Sequence, residues 1–396
     1  MLAQKNNKRN KDQCKNDNLL HVSHFVGLSG VGGVQRNFVE YINSKVVLES
    51  NGDFLHKVYT LGNVDPQYKL KVEVFDIRKL INLLSLILDI VSKDKIVHLY
   101  NNLASTKLAI LLFLLPVSNL ILHERGTVWN LSSSSKLLLS FVVWKANLVL
   151  ANSKATKTIL EKKFYIDNKK IKVLHNGIDT TIDCGNKSAH QSNFFQIGFI
   201  GRLDTPKGVH VLIDAMQYLK DKGINLKIAG TGVLECILKK QAYGLKNVSF
   251  IGLVENPYSF LSELDLLVVP SIREPLGNVC LEAGLCNTPV LAANIDGIPE
   301  IIENRVSGEL VDPTDDIAIN IPVGAVALPE FVVDPVTHEI TPPRQINPKH
   351  LANKILELSL EEEILTGYAE QLHKRVVDYF NIDRYTLELH RIYQGM

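Results

Sequence analysis

Two cations, Arg202 and Lys207, lie where a predicted strand ends and a predicted helix begins, within the segment 197–216. Gly201 ends the strand and Gly208 opens the helix, so both cations would stand beside backbone N–H groups at a helix N-terminus. Two cations in that position are suited to binding a diphosphate. For either cation alone, a solvated position on the surface is the favoured interpretation, so the prediction depends on the motif that lies nearby.

Two glutamates separated by seven residues, Glu274 and Glu282, follow a strongly apolar predicted strand at 266–271. On a continuous helix this spacing gives a rise of about 12 Å, more than the roughly 5–9.5 Å between the carboxylates of a glycosidase. Pro275 and Gly277 also interrupt a regular helix. We therefore predict separate roles, in which one carboxylate accepts from two sugar hydroxyls and the other from two ribose hydroxyls. For Glu282, a charge that stabilises the helix N-terminus is the open alternative.

A glycine-rich loop, GLSGVGGVQ at 27–35, lies between the first predicted strand and the first predicted helix. Gly30, Gly32 and Gly33 remove side chains where backbone N–H groups can face an anion. The spacing does not match G-x-G-x-x-G, and the second strand ends without the acidic residue that binds ribose in nicotinamide-dependent enzymes. The loop therefore disfavours a nicotinamide site, and it leaves open either phosphate contact or a tight turn of packing glycines.

Short β-branched runs alternate with helical stretches along the chain, which is typical of parallel sheets covered by helices on both faces. The composition becomes polar and turn-forming at 183–194, and a fresh strand begins at Phe195. We predict an α/β protein with two Rossmann-like doubly wound domains in tandem and an interdomain cleft, where strand-end loops bind ligands. The predicted segments are a disordered basic tail (1–18), an N-terminal domain (19–185), a C-terminal domain (186–378) with an insert (315–346), and a last helical segment (379–396).

The composition excludes several classes of function. The 396 residues include 43 Lys plus Arg and 42 Asp plus Glu, a net charge of +1, which gives no basis for nucleic-acid binding. Five cysteines without a C-x-x-C pair argue against a zinc site and favour a reducing, cytoplasmic compartment. Three apolar stretches, 80–91, 108–122 and 137–151, contain polar residues and fall short of the about 20 apolar residues of a spanning helix. They predict buried elements or a surface that rests on a membrane.

Six short blocks occur in the order known from one enzyme family. They are HNGID (175–179), GRLDTPKG (201–208), AGTGVLE (229–235), FIGLVEN (250–256), the Glu274–Glu282 block and GELVDP (308–313). Over roughly residues 20–315 the chain resembles the retaining glycosyltransferases of family 4, which have the GT-B fold. Each block is weak alone, and the GRLDTPKG and two-glutamate blocks together make the resemblance specific.

The resemblance implies a role for each matching residue. The donor would be bound by Arg202 and Lys207 at the diphosphate, Glu274 at hydroxyls of the transferred sugar, the backbone of Leu276, Gly277 and Asn278 near sugar and phosphate, Glu282 at the ribose, and Gly33 near the diphosphate and acceptor. His123, in LILHERG at a strand end, matches the active-site histidine that faces the sugar. The catalytic set would be Glu274, His123, Arg202 and Lys207. A histidine at a strand end is otherwise often structural, and that alternative stays open.

The resemblance also implies an activity. The N-terminal domain would hold the acceptor, the C-terminal domain a nucleotide-diphosphate-sugar, and the segment 379–396 would cross back to the N-terminal domain. The reaction would be a retaining sugar transfer from that donor to a hydroxyl of a glycan or lipid-linked glycan, in bacterial surface polysaccharide or lipopolysaccharide synthesis. We expect a cytoplasmic protein that contacts the inner face of the membrane peripherally. No D-x-D sequence is present to hold a metal, so we expect neither a metal nor a cofactor besides the donor.

Two other functions remain open. A nucleotide-sugar epimerase on the same fold would convert the donor without an acceptor. A non-catalytic protein would bind the nucleotide-sugar without turnover, although Arg202, Lys207 and Glu274 argue against decay of the site.

The insert (315–346) alternates β-branched residues around the turn-like DPVTHE, which predicts a hairpin. We interpret it as a passive surface excursion rather than a cover for the donor site, an acceptor-binding element or a self-association surface.

Overall fold

The first half of the chain forms a seven-stranded parallel sheet. The computed structural model describes residues 19–30, 32–49, 53–101, 103, 105–185 and 194–396. The predicted tail (1–18) and residues 186–193 of the polar stretch lie outside the described residues. The strands are β1 (Leu20–Phe25), β2 (Phe54–Thr60), β3 (Val74–Asp76), β4 (Lys95–Tyr100), β5 (Leu120–Glu124), β6 (Leu148–Ala151) and β7 (Ile171–Val173). Their order across the sheet is β3-β2-β1-β4-β5-β6-β7, with every neighbouring pair parallel.

The second half forms a six-stranded parallel sheet. Its strands are β8 (Phe195–Ile200), β9 (Ile224–Ala229), β10 (Val248–Gly252), β11 (Leu266–Val269), β12 (Val290–Ala293) and β13 (Glu309–Val311). Their order is β10-β9-β8-β11-β12-β13. In each sheet the order reverses beside its first strand, so a crevice opens between β1 and β4 and between β8 and β11 at their carboxyl ends. The prediction of two Rossmann-like domains is confirmed.

Helices cover the sheets because parallel strands are joined by right-handed crossovers. The first sheet is flanked by α1 (Gly33–Asn43), α2 (Lys45–Glu49), α3 (Leu80–Val91), α4 (Thr106–Leu114), α5 (Lys136–Lys145) and α6 (Lys154–Lys162). The second is flanked by α7 (Val209–Tyr218), α8 (Glu235–Gln241), α9 (Pro257–Ser262), α10 (Asn278–Leu285), α11 (Ile298–Ile301), α12 (Pro348–Leu358) and α13 (Glu362–Tyr379). The last helix is α14 (Ile382–Gln394), and 3₁₀ turns lie at Val128–Asn130, Ser133–Ser135, Asn168–Lys170 and Thr205–Lys207.

The chain passes between the two domains at two points that lie side by side. The N–H of Ile178 donates to the carbonyl of Phe380 at 2.8 Å, and the N–H of Ile382 donates to the carbonyl of Ile178 at 2.8 Å. Gly177 permits this approach, because a Cβ there would lie 2.8 Å from Cβ of Tyr385. Beyond this contact, α14 packs into the core on one face of the first sheet.

The insert forms an antiparallel hairpin of β14 (Val332–Val333) and β15 (Ile340–Thr341). Although the insert follows the second sheet in sequence, its hairpin packs on α6 beside the first sheet. Val333 is buried in that sheet's core, and Nζ of Lys163 lies 3.1 Å from the carboxylate of Glu330. The interpretation of the insert as a passive excursion is therefore wrong, because it forms a contact between the domains.

Helices α3, α4 and α5 share one core on one face of the first sheet and leave large apolar side chains exposed. These side chains, here called the apolar helix face, are Leu80, Ile81, Leu84, Leu88, Ile110, Phe113, Leu114, Leu137 and Trp144. The one carboxylate in the three helices, Asp89, is buried and lies 2.5 Å from Nζ of Lys95. No helix in the described ranges combines the length and the apolar character needed to cross a bilayer.

Candidate active site

The loop after β8 carries the predicted diphosphate cations. Gly208 adopts φ 67°, and a Cβ there would lie 1.9 Å from the carbonyl oxygen of Pro270, so glycine lets this loop rest against the end of β11. Asp204 caps the following 3₁₀ turn by accepting from the N–H of Thr205 at 2.9 Å. The side chain of Arg202 is 63% exposed, with Nε 3.8 Å from the carboxylate of Asp204. Arg202 is thus available to a ligand.

Lys207 and Glu274 are in direct contact. Nζ of Lys207 lies 2.6 Å from Oε2 of Glu274, and the two side chains are 27% and 10% exposed. The hydroxyl of Ser271 donates to the same oxygen at 3.3 Å. The contact arises because β8 and β11 are adjacent, so the loops at their carboxyl ends meet. A cation and a carboxylate side by side can bind a phosphate and a hydroxyl of one ligand.

Asp296, which follows β12, supports the Glu274 loop. Its carboxylate accepts from the backbone N–H of Glu274 at 2.9 Å and of Val333 in the insert at 2.7 Å. Burial raises the pKa of Asp296 to about 7, against the lowering effect of these N–H groups and of Arg273. Sequence reasoning did not select Asp296. The sequence feature that could have pointed to it is an acidic residue shortly after a buried strand, in NIDGIPE.

The loop after β11 leads into α10 at the domain interface. Gly277 adopts φ 100° at the N-cap, and Leu276 before it is buried. Oδ1 of Asn278 accepts from Nδ2 of Asn176 at 2.7 Å. A Cβ on Gly33 would lie 2.5 Å from Nδ2 of Asn278. The structure therefore places the N-terminal glycine loop against the start of α10.

Glu282, four residues into α10, is paired with a cation of the other domain. Nη1 of Arg36, on α1, lies 2.5 Å from Oε1 of Glu282. Burial raises the pKa of Glu282, and Arg36 opposes that shift. Glu40, one turn after Arg36, has its pKa raised to about 8, mainly by desolvation at the same interface. The cavity left beside these groups is about 20 Å³, so a ribose would have to share Glu282 with Arg36 or displace it.

His123 lies near the end of β5 and is 1% exposed. Its Nδ1 is 3.2 Å from Nε2 of His98 on β4. Its Nε2 is buried and has no hydrogen-bond partner among the described residues. Burial, and secondarily Arg125, lowers the pKa of His123 well below its ordinary value, so the ring is neutral. The contacts described for His123 lie within the N-terminal domain.

Arg125 ties together three elements at the same edge. Its Nη2 donates to the side-chain oxygens of Asn37 and Asn176, the latter at 2.9 Å, and contacts the hydroxyl of Tyr385 at 3.4 Å. Its Nη1 donates to the carbonyl of Val34 at 3.2 Å. The guanidinium thereby joins α1, the interdomain segment and α14. The one sequence feature that points to Arg125 is its place two residues after His123 in LILHERG.

Glu124 has a structural role, because its carboxylate accepts from the N–H groups of Gly126 at 2.7 Å and Val128 at 3.2 Å. These bonds hold the turn after β5. Gly126 adopts φ 115°, and a Cβ there would lie 2.5 Å from Cγ of Pro275 in the other domain. The loops after β5 and β11 therefore touch across the cleft.

Two family profiles divide much of the chain between them. The profile described as Glycosyltransferase Family 4 matches residues 60–182, and the profile described as Glycosyl transferases group 1 matches residues 183–321. The chain belongs to the family 4-type glycosyltransferases. Its two Rossmann-like domains form the GT-B fold. Among solved structures, Anabaena HepE in complex with UDP and glucose has a TM-score of 0.72 at 20% identity, covering 95% of this chain and 100% of that one.

Curated relatives of this glycosyltransferase align over part of their length. A Campylobacter jejuni N-acetylgalactosamine-N,N'-diacetylbacillosaminyl-diphospho-undecaprenol 4-alpha-N-acetylgalactosaminyltransferase is 32% identical over 186 residues, 45% of this chain and 50% of the relative. The Staphylococcus aureus capsular polysaccharide biosynthesis glycosyltransferase CapM is 27% identical over 194 residues, 48% of each chain. The chain thus spans about half the length of these relatives.

The structure brings some predicted site residues into direct contact and gives others different partners. Lys207 contacts Glu274, and Gly33 lies against Asn278. Leu276 and Gly277 lie in the turn between Glu274 and Asn278. Other partners are found for Arg202, Glu282 and His123. Sequence reasoning missed Arg36 and Asp296, which contact Glu282 and the backbone of Glu274, and it gave Arg125 no role beyond its place near His123. Their partners are far away in the chain, so no local spacing reveals them.

Proposed function

We propose that this glycosyltransferase moves a sugar, with retention, from a nucleotide-diphosphate-sugar to a hydroxyl of a glycan or lipid-linked glycan in bacterial surface polysaccharide or lipopolysaccharide synthesis. The contact between Lys207 and Glu274 carries the proposal. It sets a diphosphate-binding cation beside a carboxylate suited to sugar hydroxyls, at the crevice between β8 and β11. Support for the donor class comes from the HepE complex with UDP and glucose, and for the pathway from the named activities of the relatives.

The proposed chemistry needs charge stabilisation more than a protein nucleophile. As the anomeric bond breaks, negative charge grows on the departing diphosphate, where Arg202, Lys207 and the N-terminus of α10 would stabilise it. The acceptor hydroxyl would attack from the face that the diphosphate leaves, and the departing phosphate would take its proton. Gly126 and Pro275 approach each other across the cleft, and closure of the two domains over the donor would limit its hydrolysis.

A thermal-shift panel of nucleoside diphosphates and nucleotide-sugars tests the donor site. At a hundredfold excess over the Kd, a ligand stabilises the folded state by about 2.7 kcal/mol. Lys207→Ala should abolish most of that stabilisation, and Glu274→Ala should remove the part that depends on the sugar. Lys239→Ala, which breaks a surface ion pair with Glu235 on α8, is the matched control and should respond like the wild type. If no nucleoside diphosphate stabilises the wild type, the proposed donor site is wrong.

Product analysis separates the remaining functions. An epimerase would convert a stabilising nucleotide-sugar into a different one without an acceptor. A non-catalytic protein would bind the nucleotide-sugar and leave it intact in the presence of glycan acceptors. Transfer that persists in EDTA would support the expected metal independence, whereas transfer restored by added Mg²⁺ or Mn²⁺ would contradict it.

We further propose that the apolar helix face rests on an anionic membrane, which suits a lipid-linked acceptor. Its nine large side chains are exposed, and α3, α4 and α5 expose no carboxylate, whereas Lys107, Lys136 and Lys145 supply positive charge. Such a surface favours peripheral binding to anionic lipid.

Flotation with vesicles tests this surface. Binding to phosphatidylcholine vesicles should increase when phosphatidylglycerol is included, and Phe113→Glu with Trp144→Glu should abolish it. The control is Tyr243→Glu, at a residue 92% exposed in the other domain, and it should bind like the wild type. Equal flotation of all these variants would contradict the proposal.

A further inference from the structure

A buried line of hydrogen-bonding rings connects His123 to the last helix of the chain. The rings of His98 and His123 lie nearly parallel, with centroids 5.3 Å apart and an interplanar angle of 11°. Nε2 of His98 is 3.2 Å from Nδ1 of His123. The other nitrogen of His98, Nδ1, lies 2.7 Å from the hydroxyl of Tyr393 on α14. All three side chains are buried, so the line links the edge of the cleft to the helix that returns from the C-terminal domain.

Each ring in this line carries a single transferable proton. Burial lowers the pKa of His98 and of His123 well below the ordinary value, with charge repulsion from Arg125 adding to the effect. Burial raises the pKa of the Tyr393 hydroxyl, so the phenol stays protonated. A neutral imidazole donates from one nitrogen and accepts at the other. The direction of one hydrogen bond therefore determines the direction of the next.

The contact with Tyr393 sets that direction. A phenol is a much stronger acid than a neutral imidazole N–H, and an imidazole nitrogen is the stronger base, so the pair bonds as O–H···N. The hydroxyl of Tyr100 lies farther from this nitrogen, at 3.3 Å, and also contacts Nδ1 of His24 at 3.5 Å, so Tyr393 is the nearer donor to His98. His98 consequently carries its proton on Nε2, the nitrogen that contacts His123.

We propose that Tyr393 and His98 are positioning residues that hold His123 in the tautomer protonated at Nε2, so that Nε2 donates to the bound sugar substrate. Nδ1 of His123 accepts from His98, which leaves the His123 proton on its buried, unpartnered Nε2. A nitrogen that bears a proton cannot remove the proton of an acceptor hydroxyl. The consequence for catalysis rests on the proposed function, in which the departing phosphate takes that proton, whereas the tautomer exists without any substrate.

Long-range ¹H–¹⁵N correlation spectra of ¹⁵N-histidine-labelled protein measure the tautomer directly. The wild type should show Nε2–H forms for His98 and His123, assigned with His98→Gln and His123→Gln. Tyr393→Phe removes the phenol donor, so Nδ1–H forms of both histidines should appear. Tyr368→Phe removes another buried hydroxyl, 2.9 Å from Glu309, and should change neither histidine. An Nδ1–H form of His123 in the wild type would overturn the proposal.

Kinetics separate positioning from packing. His98→Gln keeps an amide N–H near the place of the imidazole N–H, whereas His98→Leu removes the donor. We expect His98→Leu and Tyr393→Phe to lower kcat about tenfold with the donor KM little changed, and His98→Gln to keep most of the activity. Equal losses in the Gln and Leu variants would indicate packing and overturn the positioning role. If the wild type shows the expected tautomer but transfers no sugar, the proposed function fails and the tautomer assignment stands.

Discussion

The two edges of the cleft hold their polar groups in opposite ways. On the C-terminal edge, Arg202, Lys207 and Glu274 are charged side chains of adjacent strand-end loops in one domain. On the N-terminal edge, His98 and His123 are buried neutral rings whose partners come from several strands and from α14. One edge thus suits an ionic diphosphate and the other suits the neutral hydroxyls of a sugar. The difference shows that charge can be placed by local loops, whereas a buried neutral site needs distant elements.

The largest expected effect is acid destabilisation of the N-terminal edge. His24, His98 and His123 have pKa values lowered by burial, whereas the same side chains in the unfolded chain titrate near about 6.5. Below that pH the unfolded chain binds protons that the folded chain cannot. The free energy of unfolding should then fall by up to about 1.4 kcal/mol per pH unit for each histidine.

Urea unfolding between pH 7.5 and 5 measures this slope. His24→Gln should reduce it by the contribution of one histidine, and His350→Gln, at an exposed position, should leave it unchanged. A free energy of unfolding that stays constant from pH 6.5 to pH 5 would contradict the description of the N-terminal edge as buried neutral histidines.

The C-terminal edge should respond to pH in the opposite direction. Asp296 has a pKa raised to about 7 in the folded state, against about 3.9 in an unfolded chain. The folded protein therefore keeps a proton that the unfolded chain loses, so stability contributed at low pH is lost as the pH rises from about 4 to about 7. The full span corresponds to at most about 4 kcal/mol. In urea unfolding, Asp296→Asn should weaken the dependence of the unfolding free energy on pH between about pH 4 and about pH 7. An unchanged dependence would contradict the raised pKa of Asp296.

A smaller effect is expected at the ion pair that joins the two domains. Arg36→Met removes the partner of the largely buried Glu282, and Glu282→Gln removes the charge that Arg36 offsets. In a double-mutant cycle of unfolding free energies, we expect a coupling of about 2 kcal/mol. Additivity within the error would mean that the pair does not hold the domains together. The pair Lys239→Ala and Glu235→Gln, on exposed α8, should show much weaker coupling.

The smallest effects concern the hairpin contact. Val333→Ala removes two buried methyl groups from the core beside the first sheet and should cost about 1–2 kcal/mol. Lys162→Ala, which breaks the exposed pair with Glu339, should cost under about 0.5 kcal/mol. Thermal unfolding compares the two variants directly. Equal shifts in Tm would mean that the ion pair of Lys162 stabilises this contact as much as the packing of Val333 does.

Much of the fold follows from the pattern of apolar strands and helices. Continuous β-branched runs predict buried parallel strands, and the restart at Phe195 predicts a second sheet, as the structure shows. The hairpin in the insert was also predictable from its turn. Its docking on α6 was not, because the attachment of Val333 depends on how closely two separately folded sheets approach.

The two edges also differ in how far sequence reveals them. Lys207 and Glu274 belong to neighbouring strand ends, so spacing and topology predict their meeting. The pairing of Arg36 with Glu282 and of His98 with Tyr393 joins residues far apart in the chain. Each partner also looks ordinary in its own segment. Such contacts depend on side-chain packing after the domains have come together, which hydrophobic periodicity does not encode.

The two chain passages at Ile178 and Phe380 share hydrogen bonds, so a rotation of one domain against the other would have its pivot there. A cavity of about 620 Å³ is lined by Phe380 of that pivot and by Val333 of the hairpin. This cavity separates the contact between the hairpin and the first domain from the pivot. Rotation displaces groups far from a pivot more than groups near it. A contact at the hairpin therefore restrains rotation more than an equally strong contact at the pivot. The insert is thus placed to determine how widely the two domains can part.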